Sequence, residues 1–381
     1  MGSTPALTRT TPAILRPPLS AQRVSAHAFG VGFDLCGIAT LGPTDTARHF
    51  DNWIDAGYAG AMRYLHHRKK QRRDNRRVLR GTSTAVVVAM TYDGRAAPGP
   101  IARYARGSDY HGVMTARLRE LHARLAADAG RAVFGRAYVD TGPLLERDLA
   151  RRAGLGWFGK NTMLIHPRRG SFFFLGALLL DLPLPPTKPF TDDHCGTCTR
   201  CLDACPTQAL VAPHTLDARR CISYLPIELH GPIPRDLRPA MGELILGCDI
   251  CQDVCPWNVR FAHHPTTPAL AARSATANVD PAELLALDDA AFQARFAGTA
   301  LTRPGRRGMA RNAAVALGNR GDPRDVPALA TALATDPEPL IRAHAAWALR
   351  RLAGHPGALA ALDRAQATEH DPEVLAELTE P

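Results

Sequence analysis

Nine cysteines carry the most legible chemistry in this chain. Cys36 stands alone, while the other eight fall between positions 195 and 255. Such clustering suits metal ligation better than a disulfide framework. The first set reads Cys195-x2-Cys198-x2-Cys201-x3-Cys205-Pro206; the second is Cys221 followed by Cys248-x2-Cys251-x3-Cys255-Pro256. In a run of this kind three closely spaced thiolates wrap one [4Fe-4S] cube, and the fourth, followed by proline, reaches the other. By symmetry, Cys195, Cys198, Cys201 and Cys255 hold one cluster, and Cys221, Cys248, Cys251 and Cys205 hold the second. Exchanging a ligand between the motifs brings the clusters close together, as an electron relay requires. Zinc, which also takes four thiolates at Cys-x2-Cys spacing, is the alternative, although Cys-x3-Cys-Pro endings are not those of a zinc ribbon. Cys36 reads as a small buried hydrophobe.

The composition sets bounds on the rest. The chain has 381 residues, 45% hydrophobic and 22% charged, as expected for a folded protein of two to three domains. Its most apolar stretch, Ser171 to Leu182, is too short to span a membrane. Met1 to Ser20 lacks the apolar core of a secretory signal, so a ragged tail and a cytoplasmic location are expected. A net charge of +10, carried mostly by arginine since only Lys69, Lys70, Lys160 and Lys188 are lysines, points towards a polyanionic partner.

The elements that position the cysteines follow from patterning. Residues 21–190 alternate helical periodicity with short apolar runs, Thr84 to Thr91 and Phe172 to Leu180, and read as an α/β body. Residues 191–265 form a small cysteine domain whose fold depends on its metals, and residues 266–300 a connector. From 301 to 381 two similar helices, around Arg311 to Leu317 and Arg342 to Leu349, each precede a second Ala/Leu helix, Val326 to Leu333 and Ala358 to Ala365. These resemble HEAT-type hairpins, and two are too few to stand alone, so they are expected to dock on the body.

Other motifs have plainer readings. Gly154-Leu-Gly156-Trp-Phe-Gly159 spells a dinucleotide fingerprint but follows a helical stretch where the fingerprint needs a strand. Arg68 to Arg80 carries eight cations and one acid, a solvated face or a phosphate contact. Arg303, Arg306, Arg307 and Arg311 form a second basic group open to the same two readings. The pairs His66-His67 and His263-His264 have no partner at ligand spacing.

From about Gly32 to Asn319 the chain resembles the epoxyqueuosine reductases, relatives of the reductive dehalogenases. The resemblance rests on Gly32-Phe-Asp-Leu-Cys-Gly37, Gly57-Tyr-Ala-Gly-Ala-Met62, Arg103-Tyr-Ala-Arg-Gly107 with Asp109-Tyr-His111, and Asp140-Thr-Gly-Pro-Leu-Leu-Glu-Arg147. Gly154 to Asn161, Cys221-Ile-Ser-Tyr224 and Cys248 to Asn258 complete it. It implies an α/β cobalamin-binding body, nitroreductase-like and reductive-dehalogenase-like, a ferredoxin-like domain with two [4Fe-4S] clusters, and C-terminal α-helical HEAT-like repeats that bind tRNA. It also implies an oxidoreductase that turns epoxyqueuosine into queuosine in the tRNA anticodon loop, the last step in making that nucleoside. Electrons from a low-potential donor pass through the clusters to cobalamin, in a monomeric protein.

The family places the proton donor at Asp140. Because an ordinary aspartate is ionised at neutral pH, the mechanism requires the Asp140 pKa to be raised by burial beneath the corrin or by the reduced metal; capping the helix from Leu145 to Ala153 is its plain alternative. Glu146 and Arg147 are expected to orient that helix, and Arg147 to meet a corrin amide or the substrate. Arg63, Tyr92, Arg103, Tyr104, Asn161, Ser223 and Trp257 are further cofactor-binding candidates. Ala177, where the family leads one to expect an acid, and His230, where a cation is common, depart from the pattern. A dehalogenase-like reaction on a small molecule and a ferredoxin-like electron-transfer module are the rival functions.

Overall fold

A computed structural model of the chain describes residues 19–379, so most of the expected N-terminal tail lies outside the described residues. The body is built on a four-stranded sheet. Its strands are β1 (Leu35–Thr40), β2 (Thr84–Thr91), β3 (Gly135–Tyr138) and, after a short hairpin of β4 (Trp157–Phe158) and β5 (Leu164–Ile165), β6 (Phe173–Leu180). Their order is β1-β2-β6-β3 and every neighbouring pair is antiparallel, with Thr84 opposite Leu180 and Leu35 opposite Ala89.

Both faces of the central strands are covered, which is why β2 and β6 read as continuous apolar runs. Val86, Val88 and Met90 pack with Met114, Leu118, Leu121 and Leu125 of the helix Tyr110–Ala129 on one face. Val87, Ala89, Ala177 and Leu179 pack with Leu149 and Ala150 of the helix Glu146–Arg152 on the other. Ala177 is thus a core residue, and the missing acid leaves no gap in a pocket. The second helix lies so close to β1 that a Cβ on Gly37 would stand 2.0 Å from the carbonyl oxygen of Ala153, an approach only glycine permits.

The cysteine region contains little regular structure. Two four-residue helices, Arg200–Asp203 and Ile250–Asp253, carry Cys201 and Cys251, and Cys255 caps the helix Pro256–Phe261.

The C-terminal helices are Gly305–Arg320, Val326–Thr335, Pro339–Arg351, Pro356–Thr368 and Pro372–Thr379. The first four are the two expected hairpins and the fifth extends them. Their core also takes in Leu284, Leu285, Phe292 and Phe296 from the segment expected to be a connector, which is therefore part of the helical unit, together with Ile101, Ile227, Ile245 and Leu246 from the rest of the chain. The unit is docked through a continuous apolar core, as expected for so few repeats.

The basic group at its start is largely engaged in internal bonds. Arg311, fully buried, donates to the carbonyls of Leu225, Leu229 and Gly231. Arg306 pairs with Asp336, Arg307 with Glu338, and Arg303 with Glu228. These cations fasten the helices to residues 225–231 and to one another.

Candidate active site and cluster cradles

Four of the cysteines line one cavity. Cys195, Cys198, Cys201 and Cys255 surround a space of about 270 Å³ together with Lys160, Asn161, His194 and Trp257. Burial, then repulsion from Cys195, Cys255 and Cys198, pushes the Cys201 thiol up to about 11. Cys251 is raised by burial and then by Cys248, Cys221, Cys201 and Cys205, and burial with Cys221 and Cys205 lifts Cys248 to about 12. The thiols therefore group as the spacing predicts, each motif lending its last cysteine to the other, and Cys201 with Cys251 sets the two groups side by side. Among the described residues no three such side chains converge on a single ion. A ring of thiols around a cavity fits a cube.

Neighbouring segments hold these loops. Lys160 and Asn161 sit at the turn of the β4–β5 hairpin. Lys160 Nζ donates to the carbonyls of Gly196 (2.7 Å) and Cys198 (3.0 Å), and Asn161 Nδ2 to that of Cys251 (3.2 Å). Lys160, not singled out from its spacing, is thus a clamp on the first cluster loop. Trp257 packs edge-on to Trp157 with ring centroids 5.0 Å apart. The backbone N–H of Ser223 lies 3.4 Å from Cys221 Sγ. Arg103 is buried, its guanidinium bound to Asp249 (3.2 Å) and Asp253 (2.6 Å). Arg103 is a strut between body and cluster loop, its Nε also donating to the carbonyl of Ala96 at 2.7 Å. Tyr92 is a core residue packed on Phe172 and Phe174. Cys36 is the inert thiol expected, raised to about 12 by burial.

Asp140 lies between β3 and the helix Glu146–Arg152. Its side chain is 44% exposed in the protein alone, and it does not cap the following helix, whose N-cap is Leu145. Its backbone is left-handed (φ 59°), a conformation aspartate tolerates better than most residues, and its N–H donates to Glu146 Oε1 at 2.8 Å. One carboxylate oxygen, Oδ2, gathers three neighbours: Tyr110 Oη at 2.8 Å, His111 Nε2 at 3.5 Å and Arg303 Nη1 at 3.6 Å. Tyr110 and His111 open the helix Tyr110–Ala129, so the positive end of a long helix dipole also lies near the carboxylate.

These contacts lower the Asp140 pKa in the protein alone. Burial pulls Asp140 upward, but hydrogen bonds from His111 and Tyr110 and the charge of Arg303 outweigh it and hold the carboxyl at about 2. The raised carboxyl is Glu146, pushed up to about 8 by burial and by Asp140. His111 is raised above its usual value by its hydrogen bonds to Asp140 and Asp109. Tyr64 and Tyr104 also face this group, their hydroxyls lifted by burial and influenced by Asp140, Glu228 and Arg303. Tyr64, Tyr110, His111, Glu228 and Arg303 were not assigned roles from sequence; the quoted Asp109-Tyr-His111 motif was the available signal. Arg63 lies beside Tyr64 and is exposed.

Arg147 links the two regions. Glu146, Asp140 and Cys251 are its electrostatic neighbours. Its side chain is exposed and makes no ion pair among the described residues. An unspent guanidinium in a recess between acid and cluster loop suits an amide or phosphate of a cobalamin.

Comparison with known proteins agrees with this anatomy. Residues 194–258 match a 4Fe-4S double cluster binding domain, residues 72–141 an epoxyqueuosine reductase domain and residues 299–380 HEAT repeats. An epoxyqueuosine reductase of Xanthomonas campestris is 43% identical over 87% of this chain and 96% of its own length, and that of Escherichia coli 39% over 86% and 88%. A crystal structure of an epoxyqueuosine reductase with an epoxyqueuosine-modified tRNA-Tyr stem loop aligns with a TM-score of 0.85 at 32% identity, covering 94% of this chain and 96% of that one. A Bacillus subtilis epoxyqueuosine reductase, its catalytic aspartate loop swung out of the active site, also aligns at 0.85, with 31% identity and the same coverage. Identity at this level along nearly the whole length places the chain in the epoxyqueuosine reductase family, with a domain for two 4Fe-4S clusters at residues 194–258.

Proposed function

We propose that this chain reduces epoxyqueuosine to queuosine in the anticodon loop of tRNA, with Asp140 as the proton donor. The observation that carries the reading is the setting of Asp140, whose Oδ2 gathers Tyr110, His111 and Arg303 in a chain that also carries a double-cluster domain. Bound cobalamin supplies low-potential electrons to the epoxide. Arg147 and Tyr104 are its proposed contacts on the cleft wall, Trp257 and Asn161 brace the cluster side, and Arg63 flanks the opening. An alkoxide leaves poorly near neutral pH, so the oxygen must take up a proton as its bond to carbon breaks, and Asp140 stands at the cleft to give it.

Residues 21–190 are the proposed cofactor body, 191–265 the relay, and the helical unit with the Arg68 to Arg80 face the cradle for an unpaired loop. The protein acts as a cytoplasmic monomer fed by a low-potential donor; no helix among the described residues is long and apolar enough to cross a membrane. Anaerobic turnover of epoxyqueuosine-containing tRNA by the reconstituted protein, with and without cobalamin, tests this reading by mass spectrometry of the nucleosides. Cobalamin-dependent queuosine is expected. No product with clusters and cobalt loaded refutes it.

A further inference from the structure

We propose that His111 supplies the second proton of the reaction through Asp140, and that Asp109 connects this pair to solvent. The inference rests on the deoxygenation above. Removing an epoxide oxygen as water and leaving a C=C bond consumes two electrons, which the cluster relay delivers, and two protons. The first proton turns the oxygen into a hydroxyl as one C–O bond opens, and the second lets it depart as water when the other breaks. One carboxyl holds one proton.

The geometry shows where the other waits. Of the groups on Asp140 Oδ2, Tyr110 donates a hydrogen bond at 2.8 Å, but burial and the carboxylate raise its hydroxyl, so its proton stays. The Arg303 guanidinium, held by Glu228 at 2.7 Å, keeps its proton as well. His111 is the neighbour that exchanges protons near neutrality. Its Nε2 lies 3.5 Å from Asp140 Oδ2 and its Nδ1 2.7 Å from Asp109 Oδ1, whose side chain is 42% exposed. The ring is stacked on Tyr110 at 4.1 Å, which fixes its plane between the two carboxylates. Carboxylate, imidazole, carboxylate and solvent therefore form one chain. Asp140 and Asp109 favour the imidazolium and burial opposes it, while Glu146, itself raised, is the third carboxyl facing the pair. A carboxylate that is ionised by itself becomes a usable acid when its bonded imidazolium reloads it.

The test uses the full chain loaded with clusters and cobalamin, an epoxyqueuosine stem-loop RNA, and single-turnover rates against pH. For the natural protein the rate falls on the alkaline side as the pair loses its proton. His111→Gln is expected to lose about 100-fold at pH 7, with RNA affinity and cofactor loading retained. Asp109→Asn removes the outer carboxylate and is expected to move the alkaline limb down by about one pH unit. In the cofactor-free protein, histidine NMR should show the His111 pKa falling in Asp109→Asn and in Asp140→Asn. A His111→Gln rate within about three-fold of the natural one, with the limb unmoved, overturns the proposal, as does a limb unmoved in Asp109→Asn, the variant that decides if His111→Gln fails to load. If the limb moves instead in Glu146→Gln, that carboxyl is the reservoir and His111 is not. Absence of queuosine from the natural protein is a different failure, of the function and not of the proton path.

Discussion

The cluster cradles and the Asp140 cleft are built on opposite principles. Each cradle draws three thiols from seven or fewer consecutive residues or from one close pair and Cys221, adds one from the sister motif, and has little core beneath it. The cleft instead takes Asp140 and Glu146 from the loop and helix after β3, Tyr110 and His111 from a helix start, Glu228 from the cluster region and Arg303 from the helical unit. Spacing alone makes a metal site, because a cube demands fixed sulfur positions and the chain between them can be short. A proton site demands balanced charges, and those come from wherever the fold brings them.

The largest effects should come from breaking the ligand exchange. Cys255→Ser lies in the second motif yet should destroy the first cluster, and Cys205→Ser the reverse, each lowering bound iron from about eight to about four atoms per chain and abolishing turnover. Spectra of single-variant proteins in which each motif lost its own cluster would refute the exchange. Next comes Asp140→Asn, expected to cost about 100- to 10,000-fold in rate with clusters and RNA still bound. Near-normal turnover would move the acid elsewhere in the cleft.

This contrast also explains what was legible in the sequence. The eight cluster cysteines and their grouping followed from spacing, and β2 and β6 from their apolar runs. Asp140 came through resemblance, but its environment did not: nothing near it in sequence announces Arg303, 163 positions away. For the same reason the donors that lower its pKa in the protein alone could not be read from its own segment. Arg103 and Arg311 make the same point for charge: both are buried against carboxylates or carbonyls that their positions in the sequence do not reveal.

The struts give a stability test. Arg311→Met strands the carbonyls of Leu225, Leu229 and Gly231 and should cost about 3 kcal/mol or more, measurable as a lower denaturant midpoint, with the helical unit loosened from the cluster region. Deleting residues 301–381 is then no clean test of tRNA binding, since it uncovers Ile227, Ile245 and Leu246. Glu146 gives a smaller and pH-dependent effect. Its folded pKa, about 8, is above the usual 4.5, so between these values the folded state holds the extra proton. Stability contributed by this group is present below the lower value and is lost as pH rises to the higher, at no more than ~1.4 kcal/mol per pH unit. Glu146→Gln should flatten that part of the stability profile; an unchanged slope would show that Glu146 is ionised in the folded protein.

The smallest effect separates the two basic regions. The arginines at the start of the helical unit are spent on internal bonds, whereas the Arg68 to Arg80 stretch is divided. Arg72 is buried and donates to the carbonyl of His67, Arg73 pairs with Asp51, and Arg76 pairs with Asp74. Arg68, Lys70 and Arg80 are exposed and have no ion pair among the described residues. Those three are the cations free to meet a phosphate backbone. Replacing all three with glutamine should leave unfolding and iron content unchanged while reducing the slope of log K against log salt for a tRNA stem loop by about 2, near 0.7 for each contact to a single strand. An unchanged slope would assign the stretch to solvent and return the search for the RNA-binding face to the outer surface of the helical hairpins.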